Sequence, residues 1–243
     1  MNRKVLLVLG ASSDIGVSFI ERSYNEYDKI FAQYCSNDKD LRELKKQVGE
    51  KMVLIQADFL AETDIDSMIE YLLETEENIT HILHFPAPNI QNIRFRNLSW
   101  KIYQKDIDIQ IKSIFKVLKV FMTGMAKNKY GKIVFMLSSC VTNEPPKYLN
   151  NYVTVKYALL GLMKALAVEY AEKKVNINAV SPDMMETKFL SNIPELIIQA
   201  NMESSPMKRL ASVNDVVPAI QFLLSDGASY ITGQNISITG GKS

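Results

Sequence analysis

Cysteine is nearly absent: the 243 residues contain only Cys35 and Cys140. Two thiols cannot build the disulfide framework of a small secreted fold, which fits a reducing compartment. Histidine is equally scarce, with His81 and His84 alone. Three apart on a predicted strand, they point to opposite faces, poor geometry for a shared metal, and no metal site is expected. His84 either lines a crevice or is a structural, hydrogen-bonded histidine. No charge of one sign dominates. The 28 Lys and Arg against 27 Asp and Glu leave a net charge of +1, too little to draw nucleic acid or an anionic membrane. The apolar run VLLVL (5–9) is too short to cross a bilayer and suits a buried strand. Basic residues precede it, as in a signal peptide. A turn-rich stretch from Gly10 to Gly16 follows at once, however, and nothing resembles a cleavage site. A cytoplasmic chain that binds neither nucleic acid nor membrane is expected.

What remains is ordinary globular material, 47% hydrophobic and 23% charged. Short β-branched runs recur at 4–10, 29–34, 52–58, 79–85, 132–138, 175–181 and 235–239. Helix-period stretches lie between them at 15–26, 38–47, 63–75, 99–128, 152–174 and 213–225. Alternation of this kind predicts an α/β fold: a doubly wound parallel sheet of about seven strands, helices on both faces, in one domain over 1–243. The segments 157–171 and 109–126 are apolar beyond the one stripe a helix needs against a sheet. A second chain covering them predicts a homo-oligomer, and a thicker monomer core is the alternative. Trp100 is expected to pack near the start of the long helix.

The stretch LLVLGASSDIGVSF reads as strand, tight turn and helix start. Gly10 opens the turn and Gly16 falls one turn into the helix, so the backbone can approach a phosphate there. Helix-start N–H groups then attract the anion, with Ser12 and Ser13 offering hydroxyls. Asp14 would repel a pyrophosphate it faced. It is therefore expected to cap the helix and turn away from the phosphates. The second strand ends in QYCSNDKD without a carboxylate at the position that binds the ribose hydroxyls of NAD. Ser36 and Asn37, with Lys39 nearby, can donate to a 2′-phosphate. NADP(H) is the preferred coenzyme on this reading and NAD(H) the alternative.

Tyr152 and Lys156 lie four apart on one helix face. A cation beside a phenol favours the phenolate, so the pKa of Tyr152 is expected to fall from roughly 10 toward neutral. Such a tyrosine can pass a proton to a carbonyl oxygen as a hydride reaches the carbon. Tyr170 and Lys174 repeat the spacing and read as a helix end. The first pair differs because a strand ends at Ser138–Ser139, 13 residues before Tyr152, and ligands in such folds sit beyond strand ends. Cys140 reads as a buried thiol rather than a nucleophile.

Together the glycine loop, the strand-end serine and Tyr-x-x-x-Lys resemble the short-chain dehydrogenase/reductase family. INAVSPDMMETKF and the ending ASYITGQNISITGG do so too. Within the family the look is that of beta-ketoacyl-acyl-carrier-protein reductases. The resemblance implies a Rossmann fold, usually a tetramer, and NAD(P)-dependent carbonyl/alcohol chemistry on a small-molecule or acyl-carrier-bound carbonyl. By position it makes Tyr152 the general acid/base. Lys156 tunes that tyrosine and holds the nicotinamide ribose, and Ser139, in preference to Ser138, binds the substrate oxygen. Gln110 stands where the family has an asparagine that holds a relay water. The implied coenzyme contacts are Gly10, Ser12, Ser13, Asp14, Ile15, Gly16, Ser36, Asn37, Asp58 at the adenine, Phe59, Tyr152, Lys156, Pro182, and Thr187 at the nicotinamide end. The chain departs from the family at Leu9, at Asp14 for the middle glycine, at HFPAP (84–88) for Asn-Asn-Ala-Gly, and at Asp183 for the glycine of Pro-Gly.

The Met-rich segment 182–210 is expected to be a substrate lid. Lys127, Lys129, Lys173 and Lys174 could dock an acidic carrier, or could form merely a solvated face. Two other readings stay open: a reductase of a sugar, polyketide or other small alcohol, and a nucleotide-binding subunit or sensor that has lost catalysis.

Overall fold

The computed structural model describes residues 3–76 and 78–242. Met1, Asn2, Glu77 and Ser243, part of the expected 1–243 domain, lie outside the described residues. Seven strands form one sheet: β1 Val5–Leu9, β2 Lys29–Tyr34, β3 Met52–Gln56, β4 His81–His84, β5 Gly131–Met136, β6 Val175–Pro182 and β7 Asn235–Ile238. Their order is β3-β2-β1-β4-β5-β6-β7, and all pairings are parallel. The chain winds outward from β1 to β3, then returns to lay β4 on the other side of β1. Strand order therefore reverses between β1 and β4, and a crevice opens beyond their carboxyl ends.

Period-two alternation divides the core. Leu7, Leu9, Ile82 and Phe135 face α3 Glu62–Thr75, α5 Ser113–Asn128 and α6 Asn150–Tyr170. Leu6, Val8, Leu83 and Val134 face α1 Asp14–Ser23, α2 Lys39–Val48 and α8 Val213–Leu224. Each of these side chains is buried, which contributes about 1.5–3 kcal/mol apiece. Both faces are covered, so the strands read as continuous apolar runs. None of the helices among the described residues is long and apolar enough to cross a membrane.

The long helix expected over 99–128 is helical from Trp100 to Asn128 but is not α throughout. It begins as α4 Trp100–Ile107, widens into a π turn at Asp108–Lys112, and resumes as α5. Within the turn the Ser113 N–H bonds the Asp108 carbonyl, five residues back. The extra residue carries the side chain of Gln110 fully inside. Trp100 opens α4, stacks on Tyr103 at 5.6 Å, and stays 68% exposed. The Tyr170–Lys174 spacing ends outside α6, with Lys174 in the left-handed region at φ 55°. The remaining helix, α7 Glu195–Ser204, lies within the 182–210 segment.

Candidate active site

The carboxyl end of β1 turns sharply at Gly10, whose φ of +72° is left-handed. A Cβ there would stand 2.9 Å from the Pro86 nitrogen. At Gly16 a Cβ would stand 2.6 Å from the Ala11 carbonyl oxygen, so the helix can seat against the strand only without a side chain. The helix cap is Ser13, not Asp14. The Ser13 hydroxyl accepts the Gly16 N–H (3.2 Å) and donates to the Gly10 carbonyl (2.8 Å). Asp14 is instead the first helical residue, and its carboxylate accepts the Lys188 N–H at 2.6 Å. Lys188 Nζ stands 3.5 Å from Asp14 and 2.6 Å from Asp40. A cation 174 residues away thus draws the Asp14 carboxylate onto the segment after β6. Ser12 stays partly exposed, while the side chains of Ile15 and Phe59 enter the two cores and leave only backbone for a ligand. Sequence reasoning missed Gln33. Its amide oxygen accepts the Gly10 N–H at 2.7 Å and its amide nitrogen donates to Ala57 at 2.8 Å, tying the loop to the end of β3. The available signal was a polar residue in the buried run KIFAQY.

At the end of β2, Ser36 and Asn37 are exposed, and Asn37 accepts the Lys39 N–H at 3.2 Å. The first turn of α2 brings an arginine that the sequence reading lacked. Arg42 grips Asp38 at 2.6 Å and holds that carboxyl below its usual range. Asp58 accepts the Leu60 N–H at 2.9 Å, while its own N–H donates to Asp64.

Tyr152 and Lys156 project from the first turns of α6, with Lys156 Nζ 5.5 Å from the Tyr152 ring centroid. Lys156 is 2% exposed and donates to the Met136 carbonyl at 3.0 Å, which anchors it to the end of β5. Burial pulls its ammonium down to about 8, against the raising influence of Cys140 and Asp106. The phenol does not move as expected. Burial pushes Tyr152 well above the tyrosine range, a hydrogen bond from Ser138 opposes the rise, and Cys140 adds to it. Desolvation of the phenolate is the leading cause of this rise. The two serines also part company. Ser138 bears on the phenol, whereas the Ser139 hydroxyl donates to Asp183 at 3.0 Å. Asp183 takes Lys242 Nζ as well, at 3.2 Å. Cys140 is 3% exposed, with its thiol raised by burial.

Further buried polar groups lie on β4, on the π turn, and on α4 and α6. Gln110, in the π turn, has neither amide atom bonded, and His84, in β4, has neither ring nitrogen bonded. Asn151 donates to Asp106, and both are buried. Pro182 ends β6, and the Thr187 hydroxyl donates to Met185 at 3.4 Å. A cavity of about 390 Å³ lies between the 182–210 segment and the chain's end, lined by Asp183, Met184, Met207 and Gly240 among others. Neither Tyr152 nor Lys156 lines it; Asp183 connects it to Ser139. Leu196 and Met207 in this segment are 78% and 63% exposed.

A parallel sheet with a glycine turn at its switch point, and a Tyr–Lys pair at the strand ends, defines a nicotinamide-dependent oxidoreductase of Rossmann architecture. Residues 10–243 match the family model described as Enoyl-(Acyl carrier protein) reductase. The chain belongs to the short-chain dehydrogenase/reductase family and is an NAD(P)-dependent oxidoreductase. Over 246 residues it is 34% identical to the 3-oxoacyl-[acyl-carrier-protein] reductase FabG of Buchnera aphidicola subsp. Schizaphis graminum, covering 99% of this chain and 98% of that protein. It is 28% identical to glucose 1-dehydrogenase 2 of Bacillus subtilis, covering 98% and 94%. Among solved structures it is similar in fold to YwfH, described as an NADPH dependent reductase involved in bacilysin biosynthesis. The TM-score is 0.89 at 18% identity, over 100% of this chain and 99% of that one.

Proposed function

We propose that the chain is an NADPH-preferring carbonyl reductase that acts on a beta-ketoacyl thioester, with Tyr152 as its acid. The observation that carries this reading is the Tyr152–Lys156 pair at the carboxyl end of the sheet, the tyrosine half-buried and the lysine buried and anchored to Met136. The coenzyme fits the turn. Gly10 and Gly16 leave a cradle that a Cβ would fill, and the N–H groups opening α1 suit a pyrophosphate. Ser12, Ser13 and the Ile15 and Gly16 backbone would hold it there, with Asp14 kept aside by Lys188. Ser36 and Asn37 would take the ribose phosphate, Asp58 with the Phe59 backbone the adenine, and Pro182 and Thr187 the nicotinamide end. When bound, the coenzyme supplies the hydride. Burial keeps the Tyr152 phenol protonated at neutral pH, the form that can donate to a developing alkoxide. Lys156, still mostly a cation at neutral pH, stabilises the phenolate left behind.

Ser139 is the position the family assigns to the substrate oxygen. In this chain its hydroxyl is committed to Asp183, and Ser138 is nearer in effect to the phenol. Alanine variants separate the two: the serine that orients the oxygen should lower kcat by about tenfold or more, the other by much less. The exposed Leu196, Ile197, Met202 and Met207 support reading 182–210 as a lid over an apolar acyl chain. Lys127, Lys129, Lys173 and Lys174 suit an acidic carrier. Phe115 (54% exposed), Tyr157 (48%) and Val168 (81%) on α5 and α6 leave an apolar face that supports a homo-oligomer, dimer or tetramer. The free thiols Cys35 and Cys140 favour a reducing, cytoplasmic setting.

The test is titration with NADPH and NADH, followed by a carbonyl screen that reads loss of the reduced coenzyme. Tighter NADPH binding and turnover of 3-oxoacyl thioesters are expected. A second reading, a dehydrogenase of a sugar or other small alcohol, is favoured by the glucose 1-dehydrogenase relative. It prevails if sugars or small ketones react and acyl thioesters do not. Coenzyme binding without turnover of anything contradicts both and leaves a sensor or subunit.

A further inference from the structure

Polar groups of Ser139, Asp183, Lys242 and Asn143 close a ring. The Ser139 hydroxyl donates to one oxygen of the Asp183 carboxylate at 3.0 Å, and Lys242 Nζ donates to the other at 3.2 Å. The Asn143 side-chain amide donates to the Lys242 carbonyl at 3.1 Å, and the Asn143 N–H donates to the Ser139 carbonyl at 2.8 Å. Asp183, which stands where the family has glycine, thus reaches 44 residues back and 59 residues on. The local backbone explains the meeting. Gly240 and Gly241 follow β7 with φ of 62° and 89°, a left-handed turn that glycine makes without strain. That turn brings Lys242 back toward the end of β6, where the Asp183 N–H is held by the Ile238 carbonyl at 3.1 Å. The Asp183 and Lys242 side chains are largely covered, so salt screens this pair less than a free surface pair.

We infer that Lys242 is a positioning residue for Ser139, acting through Asp183: it neutralises the carboxylate and leaves the Ser139 hydroxyl able to turn to the substrate oxygen. A serine has one hydrogen to give. Hydrogen bonds to an ionised acceptor are about twice as strong as those between neutral groups. An unpaired Asp183 would therefore keep the Ser139 hydrogen and leave only lone pairs toward a carbonyl, which can only accept. The ammonium on the far oxygen weakens that hold, and it keeps Asp183 partnered once Ser139 turns away. A glycine in place of Asp183 would make no such demand, so the need for the cation comes with the carboxylate.

The inference rests on the carbonyl-reductase reading, with Ser139 as the serine that meets the substrate oxygen. Ser139 keeps its proton throughout and changes only the acceptor; the proton that completes the alcohol comes from Tyr152.

The test is a double-mutant cycle in which Lys242→Met is made in the wild-type protein and in Asp183→Asn, with Lys242→Arg as the conservative variant. Lys242→Met alone should lower kcat for reduction by about tenfold, less than the loss of an oxyanion donor itself. KM and NADPH affinity should stay within about twofold, and Lys242→Arg should recover most of the rate. In Asp183→Asn, the same Lys242→Met change should alter kcat by less than about twofold, because no carboxylate remains to be neutralised. Asp183→Gly serves as a second background and should give the same answer. Equal loss with and without the carboxylate would mark Lys242 as a packing residue and overturn the inference, as would a wild-type kcat in Lys242→Met or no rescue by arginine. A crystal structure in which Ser139 and Lys242 do not share Asp183 overturns it without any assay. If the wild-type protein binds NADPH yet reduces no carbonyl, the function fails and the inference falls with it; if it turns over and the cycle is additive, only the inference falls.

Discussion

At the amino ends of β4–β6, His81, Lys132 and Asn176 are nearly as buried as His84 and Gln110 near the carboxyl ends, yet their polar groups have partners. His81 bonds Thr80, and the Thr80 hydroxyl accepts from Val5 at 2.8 Å and donates back to it at 3.0 Å. Lys132 donates to Asn176 at 2.8 Å, and Asn176 donates on to Ser229 and Ile231. Tyr27 and Tyr130 set their rings edge-on to His81. At the other end, both ring nitrogens of His84 and both amide atoms of Gln110 have no partner in the protein. A fully satisfied polar network rigidifies the core around it, whereas an unpartnered buried group is costly. One sheet thus carries one polar end whose groups are satisfied and one where some are not.

That contrast can be broken in order of expected effect. Lys156→Met should remove the cation that steadies the phenolate and lower kcat by about 10²–10⁴-fold. Its melting temperature should hardly fall, since a buried charge is being removed. At the amino end, Asn176→Ala should do the reverse. It leaves the Lys132 ammonium unpartnered and should cost about 1–3 kcal/mol in denaturant unfolding, with activity per folded molecule unchanged.

The pH response sharpens the contrast further. Burial holds both histidines near 3, below the ordinary 6.5. Depressed values mean the unfolded chain binds the extra protons first, so this part of the stability is intact above about pH 6.5 and drains as pH falls toward 3. The His81→Phe/His84→Phe double variant should lose most of that slope. Lys156, near 8, acts on the basic side. The kcat/KM for reduction should fall as pH rises through about 8, as the cation is lost. The same depression makes its contribution to stability grow between about 8 and 10.5. The smallest effect belongs to Lys188→Gln, which frees Asp14 and Asp40 beside the glycine turn. Exposed ion pairs are worth about 0.2–1 kcal/mol, so NADPH affinity should fall by only a few-fold in direct titration.

Much of this was legible in the sequence because it is written locally. Strand runs, helix periods and glycine spacing gave the seven parallel strands and the switch-point turn, and the four-residue spacing put Tyr152 and Lys156 on one helix face. What failed depends on distant partners. No local signal tells that residues 108–112 open into a π turn, because the extra hydrogen-bond step is stabilised by packing against α6. Asp14 reads as a cap until Lys188, 174 residues on, draws it away. The phenol's pKa was judged from its lysine alone, while the burial that dominates it comes from the assembled core. Ser138 and Ser139 are adjacent, and only the strand's exit direction decides that Ser139 meets Asp183 while Ser138 accepts the Cys140 N–H.

The most direct test is the Tyr152→Phe variant, in which coenzyme binding and reduction are measured side by side. NADPH affinity should stay within about twofold of the wild-type protein while carbonyl-dependent oxidation of NADPH falls by about 10²–10⁴-fold. Turnover close to wild type in that variant would contradict the assignment of the proton to Tyr152, and with it the account of the carboxyl end of the sheet.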